Sequence, residues 1–337
     1  MPYMVWTTTR CNLRCEYCYE GYEKENKNLT IETANQILNY IEKDFAKRKN
    51  DELIVEYHGG EPLLNFKVIQ YLTEEIEKKY IPLGIKTTFQ LTTNATMLDD
   101  NIMEFLLMHI QSLTVSLDGT QMSHDKMRKF HSGYGSYEKV MKNSLRMLKK
   151  KENIRVRMTV TPENVKDLYE NVLHLVNKGF KLIVPVLDVF DRRWNEEMFE
   201  VIRKSVRRIK RKVLQNNVVI SITDPLIIYR NYKCDGGSSS QNIYPDGNIY
   251  PCTMAAGNKE FLIGDIYNGI NTEKLKTIMS FSNLSILECQ GCSYYNSCNS
   301  VRCRIINKLV NGNYLKPEVV ECYLNHIIYE ENGFKVV

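Results

Sequence analysis

Three cysteines within eight residues, Cys11-Asn-Leu-Arg-Cys15-Glu-Tyr-Cys18, carry the densest chemistry of this 337-residue chain. Clustered thiols in a chain with no secretory signal more often bind metal or react than form disulfides. Three thiolates can each take one iron of a four-iron cluster, which leaves the fourth iron open to a small molecule. A zinc site is the other reading, but structural zinc usually closes with a fourth Cys or His. The nearest histidines in sequence, His58 and His109, lie on other segments.

Seven more cysteines follow after a gap of more than 200 residues. Cys234 and Cys252 come first, with four residues between Gly247 and Cys252; then Cys289-x2-Cys292-x5-Cys298-x4-Cys303, and last Cys322. Cysteines used as small core residues would be scattered, and these are not. Zinc knuckles and iron–sulfur ligation both suit Cys-x2-Cys.

These residues need elements to position them. Strand-like runs at 3–9, 53–58, 87–92, 112–118, 154–161 and 181–188 alternate with helical patterns at about 30–48, 66–80, 98–109, 135–151, 164–178 and 195–215. Strict β/α alternation implies a parallel sheet with right-handed crossovers. Periodicity alone leaves an open doubly wound sheet and a partial barrel as equals. In both, function sits at the carboxyl ends of the strands. Beyond residue 218 the pattern changes. Asn242-Ile-Tyr-Pro-Asp-Gly-Asn-Ile-Tyr250 reads as a hairpin turning at Pro245-Asp246-Gly247, followed by one helical stretch near 272–280 and a Cys-dense tail. A region so poor in periodic apolar residues needs staples, which metal-bound cysteines can supply. The expected division is 1–222 and 223–337.

With Tyr17 ahead of the third cysteine, Cys-x3-Cys-x2-Cys after the first strand of a β/α domain resembles the radical SAM superfamily. Three further segments fit that resemblance in order: Gly59-Gly60-Glu61-Pro62 after the second strand, Thr92-Thr93-Asn94 after the third, and Ser116-Leu117-Asp118-Gly119 at the end of the fourth. His124-Asp125-x-x-Arg128 completes a segment common in this branch. The resemblance implies a partial (β/α)6 barrel with Cys11, Cys15 and Cys18 on a 4Fe-4S cluster whose open iron binds S-adenosyl-L-methionine (SAM). One electron then cleaves SAM to methionine and a 5′-deoxyadenosyl radical. It also implies cofactor contacts from Tyr17, Gly59, Gly60, Glu61, Asn94, Ser116, Asp118 and Arg128. The residue types agree: glycines let backbone approach a ligand, Glu61 suits an ammonium, and Ser116 and Asp118 suit sugar hydroxyls.

The C-terminal cysteines resemble the SPASM extension of radical SAM enzymes, with one extra residue before Cys303. The resemblance puts Cys289, Cys292, Cys298 and Cys322 on an outer auxiliary cluster, and Cys234, Cys252 and Cys303 on an inner one. That makes three 4Fe-4S clusters. All ten cysteines are then used, so the inner cluster keeps an open iron or takes a weak non-Cys ligand such as a carboxylate. An open iron could hold a substrate thiolate close to the radical.

SPASM enzymes mostly modify peptides or proteins. Sulfatase-maturating members, which form formylglycine, carry an acidic residue directly after the second SPASM cysteine; here Thr253 follows Cys252. The expected function is therefore an oxidoreductase that matures a ribosomally synthesised precursor peptide (a RiPP), forming thioether crosslinks. The alternatives are carbon–carbon crosslinking, epimerisation, formylglycine formation, and a non-catalytic zinc- or iron-binding interaction protein. No acid or base is singled out. Because the first strand starts at Tyr3, no leader-gripping domain is expected ahead of it, and the leader binds the barrel, the SPASM region or a separate leader-peptide-binding protein. An electron donor such as flavodoxin or ferredoxin is implied. The run Arg203–Lys212 carries seven positive charges in ten residues, which could attract an acidic peptide or redox partner but more often marks a solvated helix face.

Composition sets the outer bounds. With 45 basic against 40 acidic side chains, the chain lacks the bias of a dedicated nucleic-acid binder. No apolar run reaches the ~18 residues of a membrane span. A cytoplasmic enzyme with no nucleic-acid or membrane partner is expected.

Overall fold

The computed structural model describes residues 2–21, 25–48, 51–213, 217–223 and 234–333. In chain order its elements begin with β1 (Pro2–Thr8), β2 (Leu13–Cys15), α1 (Ile31–Ala46), β3 (Glu52–Gly59), α2 (Phe66–Tyr80), β4 (Lys86–Thr93), α3 (Asp100–His109) and β5 (Ser112–Ser116). Then come α4 (Gln121–Met127), β6 (Arg128–Phe130), α5 (Tyr137–Leu148), β7 (Arg155–Val160), α6 (Leu168–Asn177), β8 (Leu182–Leu187), α7 (Glu196–Lys212) and β9 (Val219–Ile220). The remainder forms β10 (Gln241–Ile243), β11 (Asn248–Tyr250), β12 (Gly264–Asp265), β13 (Gly269–Ile270), α8 (Thr272–Ser280), α9 (Asn299–Arg302), α10 (Arg304–Asn311) and α11 (Val319–Glu331). The six expected strands and six expected helices are all present. The insertion α4–β6 and the three helices of the tail are additions to that expectation. Among the described residues no helix is long and apolar enough to cross a membrane.

The chain forms two compact units that do not follow sequence order. One gathers residues 1–14, 20–114 and 235–278; the other gathers 15–19, 115–234 and 279–337. In the first unit, β1, β3 and β4 run parallel, with Tyr3 opposite Val55 and Val55 opposite Phe89. On its other edge β1 pairs in parallel with β10, Val5 against Ile243, and β10 turns back antiparallel into β11. Strand alternation buries Tyr3, Val5, Leu53, Val55, Tyr57, Phe89 and Leu91 on one face. On that face Tyr40 of α1 donates to Gln241 at 2.7 Å. The register of β1 against β3 slips between Trp6 and Thr8, immediately before the Cys loop.

In the second unit β7, β8 and β9 are parallel, with Arg155 opposite Leu182 and Leu182 opposite Val219. The basic run lies on α7, and it is not all solvated. Arg203 and Arg207 pair with Glu330 and Glu331 at the end of α11, and Phe199 stacks on Tyr323 with ring centroids 4.3 Å apart. The tail has polar staples of its own. Buried Asn307 accepts from the Glu318 N–H at 2.9 Å and donates to the Ser300 carbonyl at 2.8 Å. The Glu318 carboxylate then caps α11 through the N–H groups of Val320 and Glu321.

Candidate functional site

In the first unit the loop after β1 is clamped by the segment after β3. The N–H groups of Gly60 and Glu61 donate to the carbonyls of Thr8 and Arg10 at 3.1 and 2.8 Å. A Cβ at Gly59 would stand 2.4 Å from the Thr8 oxygen, at a φ of +156°, and one at Gly60 2.4 Å from the Arg10 oxygen. Both glycines are thus required by the approach of backbone to backbone, whereas the sequence suggested approach to a ligand.

Glu61 follows with its carboxylate buried. It accepts from the Thr93 hydroxyl at 2.7 Å, the Asn94 N–H at 2.7 Å and the Leu63 N–H at 3.2 Å. Burial raises its pKa to about 7, against the pull of those three donors. A carboxylate has about four acceptor sites, so one remains for an ammonium, which would hold the group ionised. Asn94 reaches across to the Cys loop. Its amide donates to Asn12 at 2.9 Å and lies 3.9 Å from the Cys11 sulfur. Asn12 in turn donates to Thr96 at 2.8 Å. His58 packs on Trp6, ring centroids 4.7 Å apart, and His109 is held by Glu77 at 2.9 Å.

In the second unit Asp118, fully buried, is the centre. Its Oδ2 accepts from the Tyr17 hydroxyl and from Arg128 Nε at 2.8 Å. Its Oδ1 accepts from Arg128 Nη2 at 3.2 Å and the Thr159 N–H at 2.9 Å. Four donors fill the carboxylate, so the sugar-hydroxyl role expected for Asp118 has no acceptor left; Ser116, half-buried at the end of β5, keeps that expectation. The Asp118 N–H donates to His124 Nδ1 at 3.3 Å. That fixes the proton on Nε2, which faces the Ser136 hydroxyl at 2.9 Å, and Ser136 donates to the Arg128 carbonyl at 2.9 Å. Burial lowers the His124 pKa to about 4, so the ring is neutral. Cys15 lies beside this network, where burial pushes its thiol up to about 11 against the pull of Arg128. Asn12, Thr96, Ser136 and Thr159 were missed in the sequence. The first three offer only common polar side chains, and Thr159 contributes its main chain.

Farther along the same unit, Cys292 and Cys298 both act electrostatically on Cys289, and all three act on Cys322. The nearness of Cys322 draws the Cys298 thiol below its ordinary value and pushes Cys322 above its own, and the main chain at Ser300 and Val301 adds to the pull on Cys298. The one-turn helix α9 fills the four-residue spacer between Cys298 and Cys303. Cys303 and Cys234 belong to this unit and Cys252 to the first. Among the described residues no three His, Cys, Asp or Glu side chains converge as ligands of one ion would. Thiolates that each take a different iron do not need to.

The sequence profile of the Radical SAM superfamily matches residues 6–176. The chain belongs to the radical SAM superfamily. It is an enzyme of radical chemistry, and the family implies a 4Fe-4S cluster and SAM. The donor types suit that cofactor pair: the first unit offers the Cys11 thiol and the buried Glu61 carboxylate with one acceptor site to spare, and the second offers the Cys15 and Cys18 thiols and half-buried Ser116. This radical SAM chain is 26% identical to the radical SAM cyclopropyl synthase TigE of Paramaledivibacter caminithermalis, over 97% of its own length and 70% of that protein. It is 25% identical to a cysteine-type anaerobic sulfatase-maturating enzyme of Clostridium novyi, over 87% of its length and 85% of the relative. A solved structure of anSMEcpe with bound AdoMet and Kp18Cys peptide shares its α/β fold, with a TM-score of 0.80, 18% identity and coverage of 98% and 97% of the two chains.

Proposed function

We propose that this radical SAM enzyme is a SPASM-type maturase that modifies a ribosomally synthesised peptide. The observation that supports the reading is that Cys289, Cys292 and Cys298 all act on Cys322, up to 33 positions away in sequence, in cysteines whose spacing resembles the SPASM pattern. Residues 1–222 then supply the SAM-binding domain and 223–337 the auxiliary-cluster domain, with Cys234, Cys252 and Cys303 on the inner cluster. When bound, the first cluster and SAM supply a 5′-deoxyadenosyl radical. Cys11, Cys15 and Cys18 hold that cluster, Glu61 receives the ammonium of SAM, and Ser116 its ribose. A flavodoxin or ferredoxin in the cytoplasm delivers the electron.

Thioether formation is the favoured product chemistry, because an inner cluster with three cysteines leaves an iron for a substrate thiolate. A second reading, carbon–carbon bond formation, draws on the similarity to a cyclopropyl synthase along 97% of the chain. Co-expression with each small peptide encoded beside the gene, followed by mass spectrometry and iodoacetamide labelling, separates them. A thioether removes two hydrogens and one alkylatable thiol. A carbon–carbon bond removes two hydrogens and leaves every thiol labelled. Loss of sulfur indicates formylglycine made from cysteine, and peptide of unchanged mass that also takes up no deuterium when the cells grow in D2O, as epimerisation would require, contradicts the maturase reading.

A further inference from the structure

Arg128 is only 6% exposed, and its guanidinium is engaged on several sides. Nε and Nη2 fork onto Asp118, and the Tyr17 ring centre lies 5.1 Å from its carbon. The strand β6, which begins at Arg128, pairs with β2, which ends at Cys15, and the Glu16 N–H donates to the Met127 carbonyl at 2.9 Å, so the guanidinium acts on the Cys15 sulfur. A guanidinium has five N–H donors. Asp118 takes two of them, which leaves N–H groups for the sulfur. The main chain is fixed as well, since the hydrogen bonds through His124 and Ser136 tie the Asp118 N–H to the Arg128 carbonyl. Stability alone does not call for such an arrangement, because well-packed apolar side chains often replace a buried ion pair at no loss. What apolar groups cannot do is aim a charged donor.

We propose that Asp118 and Tyr17 are positioning residues that aim Arg128 at the Cys15 sulfur, so that the guanidinium donates a charge-assisted hydrogen bond to that thiolate when it ligates iron and raises the cluster's reduction potential. The proposal rests on the reading of Cys15 as a cluster ligand. Reduction adds one electron, and with it negative charge on the cluster and its sulfurs. A donor at a ligand sulfur therefore stabilises the reduced state more than the oxidised one. Asp118 offsets part of the arginine's charge at a distance, but the N–H dipole at the sulfur remains.

The test is an EPR-monitored dithionite titration of the reconstituted protein without SAM or peptide, with the relevant signal assigned by its loss in Cys15→Ala. The paired variant Asp118→Asn/Arg128→Gln leaves no buried charge unpaired, and Tyr17→Phe removes one tie only. The expected result is a midpoint displaced to more negative potential in the paired variant and a smaller displacement of the same sign in Tyr17→Phe. If the paired variant fails to fold, the Tyr17→Phe displacement decides. An unchanged midpoint at wild-type iron content overturns the proposal and leaves the cluster assignment standing. Wild-type protein that takes up no iron through Cys15 overturns the assignment and the proposal together.

Discussion

Glu61 and Asp118 are both buried carboxylates, and their surroundings give them opposite characters. Arg128 balances Asp118, while Glu61 faces neutral donors only, so burial lifts its pKa to about 7 from an ordinary 4.5. In the folded protein Glu61 therefore keeps its proton over a range where the unfolded chain has lost it. Its contribution to stability is complete below about pH 4.5 and is lost as pH rises towards 7. Urea midpoints measured at pH 5 and pH 7.5 should fall more for wild type than for Glu61→Gln, and equal slopes would remove the assigned shift. An ammonium bound at the spare acceptor site should also flatten the slope. At this scale the sequence disclosed residue types well and their partners poorly. Gly59, Gly60, Glu61 and Asp118 were all recognisable. That the glycines face Thr8 and Arg10, and that Thr159 contributes a main-chain donor, depends on contacts between distant segments.

The β/α alternation and the hairpin at Gly247 were legible because strand and helix periods differ sharply and turn residues punctuate them. Helices α9 to α11 were not. α9 and α10 span only four and eight residues, and buried polar residues such as Asn307 and Glu318 join the three helices through contacts that periodicity does not report. At the glycine clamp, Gly60→Ala drives a methyl against backbone oxygens on the Cys loop, 2.4 Å from Arg10 and 2.8 Å from Thr9. Overpacking of this kind costs about 1–3 kcal/mol. The variant should show a lower thermal midpoint and reduced iron uptake, and normal values for both would contradict the clamp. On α7, charge and packing can be ranked. Arg207 is half exposed, so Arg207→Ala should cost under about 1 kcal/mol. Phe199 is buried against Tyr323, and Phe199→Ala should cost about 3–5 kcal/mol. Chemical denaturation checks the order, and a larger loss for Arg207→Ala would mean that charge holds α11.

For the molecule as a whole, the proposal places all ten cysteines on three clusters, and iron content tests it. Three four-iron clusters predict about twelve irons per chain after anaerobic reconstitution, with a brown chromophore. Two or three zincs in a colourless protein would favour an interaction module. The most direct measurement is product formation when the reconstituted enzyme meets dithionite and SAM with no peptide present. The account predicts 5′-deoxyadenosine and methionine from wild type and neither from Cys15→Ala. Equal yields from the two proteins, or none from iron-replete wild type, would contradict it.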